Sequence, residues 1–475
     1  MAFRRDLTFF DVTNVTVGAI VGADIYVASA ITAGLLGPAS ILAWAVAGVL
    51  ATILALTLAD CARLVPAVGG PYAYVSRAFG RFPGFLAGWS MWIAELTALP
   101  VFAIAFTNYL NAFVHLGDIE VHEVRVGFLA LLTAINVRSV RAAGRVNDAL
   151  TLLKLAPLLV MVVAGLAYAA LHPAEVADRF TPFAPFGFAR FTESLVLIVW
   201  AYAGFELSTV PAAEVTRADR TIPRALTAGM GIVTLFYLST NLVVYALVPH
   251  EELARTAVPL AAAGTVLFGG LGAALMSAGA MISVSGSDES DMLGSSRLAY
   301  AMAADGLLPH PLATLHPRFG TPWVALVAQS VIAAALTFVD RIPALIGFAV
   351  VNLALSFLLC ALALLVLRRR DRTTPALPRR VLPLLGVLVA GGLLLASSRA
   401  QQLTGLGVLA IGAAVYWLAA PRRPLPGAIE PMLDPERVLL RLARRRMRFL
   451  GGLVGWLGGR RTPPRQRTTG HARRP

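Results

Sequence analysis

The chain has 475 residues, 57% of them hydrophobic and only 14% charged, with a mean hydropathy of +0.73. A soluble domain is about a quarter charged, so this composition excludes an ordinary water-bathed globule and points to lipid as the solvent. The net charge of +14 arises from arginines in short loops and in the tail, a pattern of membrane topology and not of a nucleic-acid face.

The opening "MAFRRDLTFFDVTNVTVGAIVG" is not read as a cleavable signal, because polar residues interrupt the apolar region and no small-residue cleavage site precedes a soluble domain. Apolar runs then predict twelve spans, near residues 10–36, 38–62, 82–113, 123–140, 147–170, 190–212, 224–248, 266–303, 320–338, 343–367, 380–397 and 404–420. Arginines flank alternate loops: Arg4 and Arg5; Arg63, Arg77 and Arg81; Arg138, Arg141 and Arg145; Arg217, Arg220 and Arg224; then "RRRDRTTPALPRR" and the tail. The intervening loops, such as "HLGDIEVHE", are neutral or acidic. That alternation predicts an even number of spans and both termini in the cytoplasm; the expected location is the plasma (inner) membrane. Residues 421–475 read as a basic cytoplasmic tail with one amphipathic stretch suited to a lipid surface. Cys61 and Cys360 give no disulfide or zinc framework.

Polar chemistry enters the membrane at few points. The first span, "TNVTVGAIVGADIYVASAITAG", carries Gly18, Gly22 and Asp24. Close packing of small residues explains the glycines but not a mid-membrane carboxylate, which is costly unless it serves a site or a partner. The sixth span, "VWAYAGFELSTVPAAE", is interrupted by Gly204, Glu206 and Pro211. Two glycine- or proline-interrupted spans in corresponding places are the mark of a transporter with discontinuous helices. Lys154, in "ALTLLKLAPLLVMVVAG", is the single lysine of the chain. An arginine would snorkel equally well, so a compact, titratable ammonium points to a coupling role. Glu95 lies in the third span, and Asp288, Glu289 and Asp291 share one turn of the eighth. One lysine cannot neutralise six acids, so the excess implies protonated carboxyls, a bound cationic substrate, or both. No metal-ligand histidine pair occurs, neither a metal nor a cofactor is expected, and motifs of an intramembrane enzyme or a channel filter are lacking.

Together "GAIVGADIY", "PAVGGPYAYVSRAFGRFPGFLAGW", "AYAGFE" with "AAEVTRADRTIPRA", and "SSRLAYAMAADGLLPHPLATLHPRFGTPWVAL" resemble the amino acid–polyamine–organocation transporters over roughly residues 6–420. The resemblance implies an all-α protein with two inverted five-helix repeats, about 10–170 and 190–367, whose first and sixth helices are discontinuous. Accessory helices over 380–420 follow, and the protein works by alternating access. It further implies that Ile20 and the unwound stretch with Gly22, Ala23 and Asp24 bind substrate; where the family normally reads Gly-Ser-Gly-Ile-Phe, this chain has Gly22-Ala23-Asp24-Ile25-Tyr26. Trp200 would close over the substrate, the carbonyls around Trp200, Ala201 and Ala203 would hold its amine, and Glu206 would be tied to gating. Lys154 matches a lysine standing where sodium-coupled relatives bind sodium, so proton coupling or exchange is expected. The resemblance extends to the polyamine branch at Asp24, at Glu95 in "ELTALP" and at Glu289 in "ESDM". Glu95 and Glu289 are therefore assigned to substrate, and Asp288 and Asp291 to coupling. The substrate is expected to be a di- or polyamine or another organic cation, with an ordinary amino acid as the alternative.

Overall fold

Two sequence features set the architecture: apolar runs long enough to cross a bilayer, and glycines placed where such helices stop. A computed structural model describes residues 8–65, 69–138, 141–206, 215–370 and 377–419. The chain divides into a unit Met1–Ile429 and a unit Glu430–Pro475. The basic tail lies outside the described residues, as do Pro211 and the end of the expected sixth span.

Among the described residues every regular element is a helix. In chain order these are α1 (Phe9–Ile20), α2 (Ala23–Leu36), α3 (Ser40–Leu64), α4 (Pro71–Phe79), α5 (Arg81–Leu110), α6 (Asp118–Arg138), α7 (Arg141–Leu171) and α8 (Pro173–Arg179). There follow α9 (Phe191–Ala201), α10 (Ala218–Leu247), α11 (His250–Leu253), α12 (Pro259–Ala304), α13 (Trp323–Leu336), α14 (Ile342–Arg370), α15 (Leu377–Ala396) and α16 (Arg399–Ala419). Seven helical runs are long and apolar enough to cross a membrane, and four shorter apolar helices accompany them. In hydrocarbon only a helix or a closed barrel satisfies its backbone internally, and this is an all-α, polytopic membrane protein.

The structure adjusts several predicted boundaries. The run Ala23–Leu64 is 42 residues long, about twice what one crossing needs. It is divided by a 3₁₀ turn at Gly37–Ala39, where Gly37 has φ +63°. The span expected from residue 266 really begins after Gly269, whose φ of +61° breaks α12 and leaves 266–268 on the preceding segment. Only glycine takes that backbone without a Cβ penalty. The span expected from residue 123 begins earlier, because Asp118 and Glu120 suit a helix's first turn. With those acids and Arg125, α6 is not among the strongly apolar helices.

The first helix is discontinuous, as expected. α1 stops at Ile20, Val21 is extended, Gly22 lies at φ −132°, ψ −143°, and α2 restarts at Ala23. α9 likewise ends at Ala201 and passes into a turn through Gly204, at φ +111°. The two interruptions meet backbone to backbone: a Cβ on Gly204 would stand 2.8 Å from the Ala19 carbonyl oxygen. A Cβ on Gly22 would stand 2.7 Å from Ser287 Oγ on α12. Glycine is needed at Gly204 twice over, for its φ and for that approach.

Buried polar ties hold the helix ends. Asp60 of α3 accepts from Arg63 Nε at 2.8 Å and from Arg368 Nε of α14 at 3.0 Å, and Cys61 Sγ donates to the Cys360 carbonyl at 3.5 Å. Arg125, fully enclosed in α6, pairs with Asp340 at 3.0 Å and donates to Thr107 on α5.

Three outcomes follow for stability. Gly204→Ala is expected to cost roughly 1–3 kcal/mol, seen as a lower Tm in detergent, from left-handed strain and the clash with Ala19. Gly231→Ala, which meets nothing within 4 Å, should leave Tm unchanged or slightly raised. Asp60→Asn removes the negative charge and one of the two acceptor oxygens between two arginines and is expected to destabilise by roughly 3 kcal/mol, measured in the same way.

Candidate functional site

Interrupting a helix in lipid releases carbonyls at one end and N–H groups at the other, and each must find a partner. At the end of α1 the partners come from three other helices. Lys154 of α7, only 1% exposed, donates to the Gly18 carbonyl. Tyr237 of α10 donates its hydroxyl to the Ile20 carbonyl at 3.0 Å. Ser283 and Ser287, one turn apart on α12, reach the Val21 carbonyl at 3.4 Å, and Ser283 also reaches Gly22 at 3.5 Å. An ammonium at the negative end of the α1 dipole is favourably placed.

The start of α2 carries the opposite charge. Asp24 stands in its first turn, buried, where the N–H groups and the helix dipole favour an anion. Its carboxyl accepts from its own backbone N–H and lies within electrostatic reach of Lys154, Glu206 and Asp291. The second interruption repeats this design. Glu206, 1% exposed, accepts from the Gly204 N–H at 2.8 Å and from its own N–H. Gly22-Ala23-Asp24 and Gly204-Phe205-Glu206 thus each place a carboxyl, two residues past a glycine, on released N–H groups.

A cluster of acids joins the two interruptions. Glu95, midway along α5, is buried within electrostatic reach of both Glu206 and Asp291. Asp288, one turn before Asp291 on the same face of α12, is fully buried with neither oxygen hydrogen-bonded. Glu289 is not brought in: it is partly exposed, its charged neighbour is Arg297, and its carbonyl accepts from Asn136. Residues 289 and 291 lie about 200° apart around a helix, so one turn cannot aim both at a single point. Asp291, assigned to coupling from the sequence, is the α12 acid nearest the interruptions, and Glu289, assigned to substrate, faces elsewhere.

The remaining expected site residues are placed at the interruptions but are not all available. Trp200 is buried against Phe102, with ring centroids 6.0 Å apart, and its carbonyl accepts from the Ala203 N–H at 2.9 Å. The Ile20 carbonyl is taken by Tyr237. Ala23 and Ala201 are buried beside the breaks, and Ala203 sits in the turn. Sequence reasoning missed Tyr237, Ser283 and Ser287. The serines at i and i+4 were a usable signal for one face of a helix, whereas Tyr237 lies in an ordinary apolar run without one. It also missed Tyr109, whose hydroxyl donates to the Tyr26 carbonyl at 2.7 Å. No group of three or more His, Cys, Asp or Glu among the described residues is arranged to hold a metal.

A buried cation against the end of α1, one carboxyl at the start of α2, another in the turn after α9 and a neighbouring group of acids make up the candidate site. Comparison with known proteins bears on the chain as a whole. The family model described as amino acid permease matches residues 7–421. An uncharacterized transporter of Mycobacterium tuberculosis is 30% identical, covering 87% of this chain and 91% of its own. The methylthioribose transporter of Bacillus subtilis is 25% identical over 89% and 95%. The branched-chain amino acid permease BcaP of the same organism is 23% identical over 88% and 93%. The chain is a multi-pass membrane transporter and not an enzyme, and it belongs to the amino acid permease family, within the amino acid–polyamine–organocation superfamily.

Proposed function

We propose that this chain is a secondary active transporter that carries a small organic cation, a di- or polyamine or a related amine, across the plasma (inner) membrane by alternating access. In this reading the helices make twelve crossings with both termini in the cytoplasm. Residues about 10–170 and 190–367 are inverted repeats whose first and sixth helices are discontinuous, and 380–420 adds two accessory helices. The recurrence of glycine, one residue, then an acid at both interruptions supports the repeat. Lys154, bonded to the Gly18 carbonyl at the end of α1 and matching by resemblance a lysine that stands where sodium-coupled relatives bind sodium, supports proton coupling or exchange.

The observation that carries the substrate class is Asp24. Its carboxyl already occupies a backbone N–H at the start of α2, among the donors that a substrate carboxylate would need. At ~4 Å and an effective dielectric near 20, two like charges repel by about 4 kcal/mol, enough to reverse a preference. An ammonium is attracted by the same amount.

An ordinary amino acid permease is a second reading with at least equal support. The family's description and the branched-chain permease among the relatives favour it. The methylthioribose transporter shows that named relatives are not confined to amino acids. Under this reading Asp24 takes up the substrate's ammonium, and its carboxylate is held elsewhere.

Uptake of labelled putrescine, arginine and leucine into proteoliposomes, with and without a pH gradient, separates the readings. The cation reading expects saturable putrescine uptake, enhanced by the gradient. Asp24→Gly should reduce it by about 10-fold or more, since 1.4 kcal/mol already gives that factor. Saturable leucine or arginine uptake that putrescine does not inhibit would contradict it. Lys154→Ala should abolish stimulation by the pH gradient while leaving exchange between labelled and unlabelled substrate; retained stimulation would remove Lys154 from coupling.

A further inference from the structure

Two groups of helices meet at the last turn of α14. In the first group, α4 is seated on α5 and α12. A Cβ on Gly88 of α5 would stand 3.0 Å from Tyr72 Cβ of α4 and 2.8 Å from Met302 Sδ of α12. Tyr72 donates its hydroxyl to Asp305, just past α12, at 2.6 Å, and Arg81 at the start of α5 donates to the Asp305 carbonyl at 2.9 Å. In the second group, α3 packs on α9 and α10. A Cβ on Gly48 would stand 2.6 Å from Thr234 Oγ1 of α10, and Tyr202, just past α9, donates to the Trp44 carbonyl at 3.2 Å. The end of α14 reaches both groups. Arg368 donates Nε to Asp60 of α3 at 3.0 Å, and Arg370 donates to the Arg77 and Ala78 carbonyls of α4 at 3.1 and 3.3 Å. Those carbonyls close α4, where free lone pairs and the helix dipole attract a guanidinium. The tie is not fully satisfied, because Arg368 Nη1 is buried without a hydrogen-bond partner, and an unmet buried donor opposes the closed arrangement.

We propose that the last turn of α14 is a latch on the cytoplasmic exit, in which Arg368 and Arg370 tie the two groups together while substrate is enclosed and let go when the site opens inward. Asp24, Trp200 and Glu206 are each no more than 5% exposed, so helices must part on one face before a solute can leave. Both arginines act through the helices they hold and are positioning residues. The inference rests on the alternating-access reading and its topology, and it holds whichever solute is carried. Two native thiols report on the latch. Cys61, next to Asp60, donates to the Cys360 carbonyl of α14 at 3.5 Å, and both cysteines are fully buried. They are the chain's only two, and parting α3 from α14 exposes them.

The test follows maleimide labelling of the two cysteines in the full-length protein in lipid vesicles, with a membrane-impermeant reagent applied to either face. Tm and uptake of labelled putrescine and leucine are measured in parallel. The expected result is slow labelling of the unaltered chain, from the cytoplasmic face. Arg370→Ala should raise the rate by about 5-fold or more with Tm unmoved, as the loss of one or two hydrogen bonds gives. Arg370→Lys should restore part of the closure, and Arg369→Ala, which alters an exposed neighbour, should leave the rate alone. Arg368→Ala should act like Arg370→Ala; if it does not fold, Arg370→Ala carries the test. Unchanged labelling in Arg370→Ala beside intact uptake would overturn the latch alone. A rise equal to that in Arg369→Ala, or one that only tracks a fall in Tm, would do the same. Label reaching the thiols from the outer face would overturn the topology and the latch together.

Discussion

Everything in this protein turns on one constraint: a backbone group released inside a membrane must be bonded to something. Stopping α1 at Ile20 and restarting α2 at Ala23 would leave several such groups bare, each costing several kcal/mol in hydrocarbon. The fold answers by converging on the gap. A lysine from α7, a tyrosine from α10 and two serines from α12 take the carbonyls, and Asp24 lies on the N–H end. Because the partners belong to different helices, the state of the gap is tied to how those helices pack, and a solute bound there biases their arrangement.

Charge follows from the same constraint. A helix interrupted in the middle presents a negative end and a positive end only a few ångströms apart. Lys154 and Asp24 sit each at the end that suits it, which makes the gap locally neutral and leaves the other acids in excess. That excess, held by Glu95, Glu206, Asp288 and Asp291 on three further segments, is what separates this site from one built of backbone alone.

Much of this was legible in the sequence because lipid makes exceptions conspicuous. Asp24 and Glu206 stood out as acids beside glycines in apolar runs, and Lys154 stood out as a lysine in a chain that otherwise uses arginine. What was not legible depends on rotation and on distant partners. Glu289 and Asp291 are neighbours in sequence yet face different sides of α12, and their roles had been assigned by motif position instead of helical phase. Ser283 and Ser287 share one face of α12, but nothing in their spacing says that this face meets the end of α1. The backbone contact of Gly204 with Ala19 has no sequence signal beyond a glycine. The break at Gly269 looked like one more glycine in an apolar run.

The central claim is that the carboxyl at the start of α2 makes the gap a seat for positive charge. A cryo-electron microscopy structure with putrescine, and a second with leucine, tests it most directly. The account predicts an ammonium in contact with Asp24 in the putrescine map and no ordered density at the gap with leucine. A leucine whose carboxylate lies on the N–H groups of α2, with Asp24 turned aside, would contradict it.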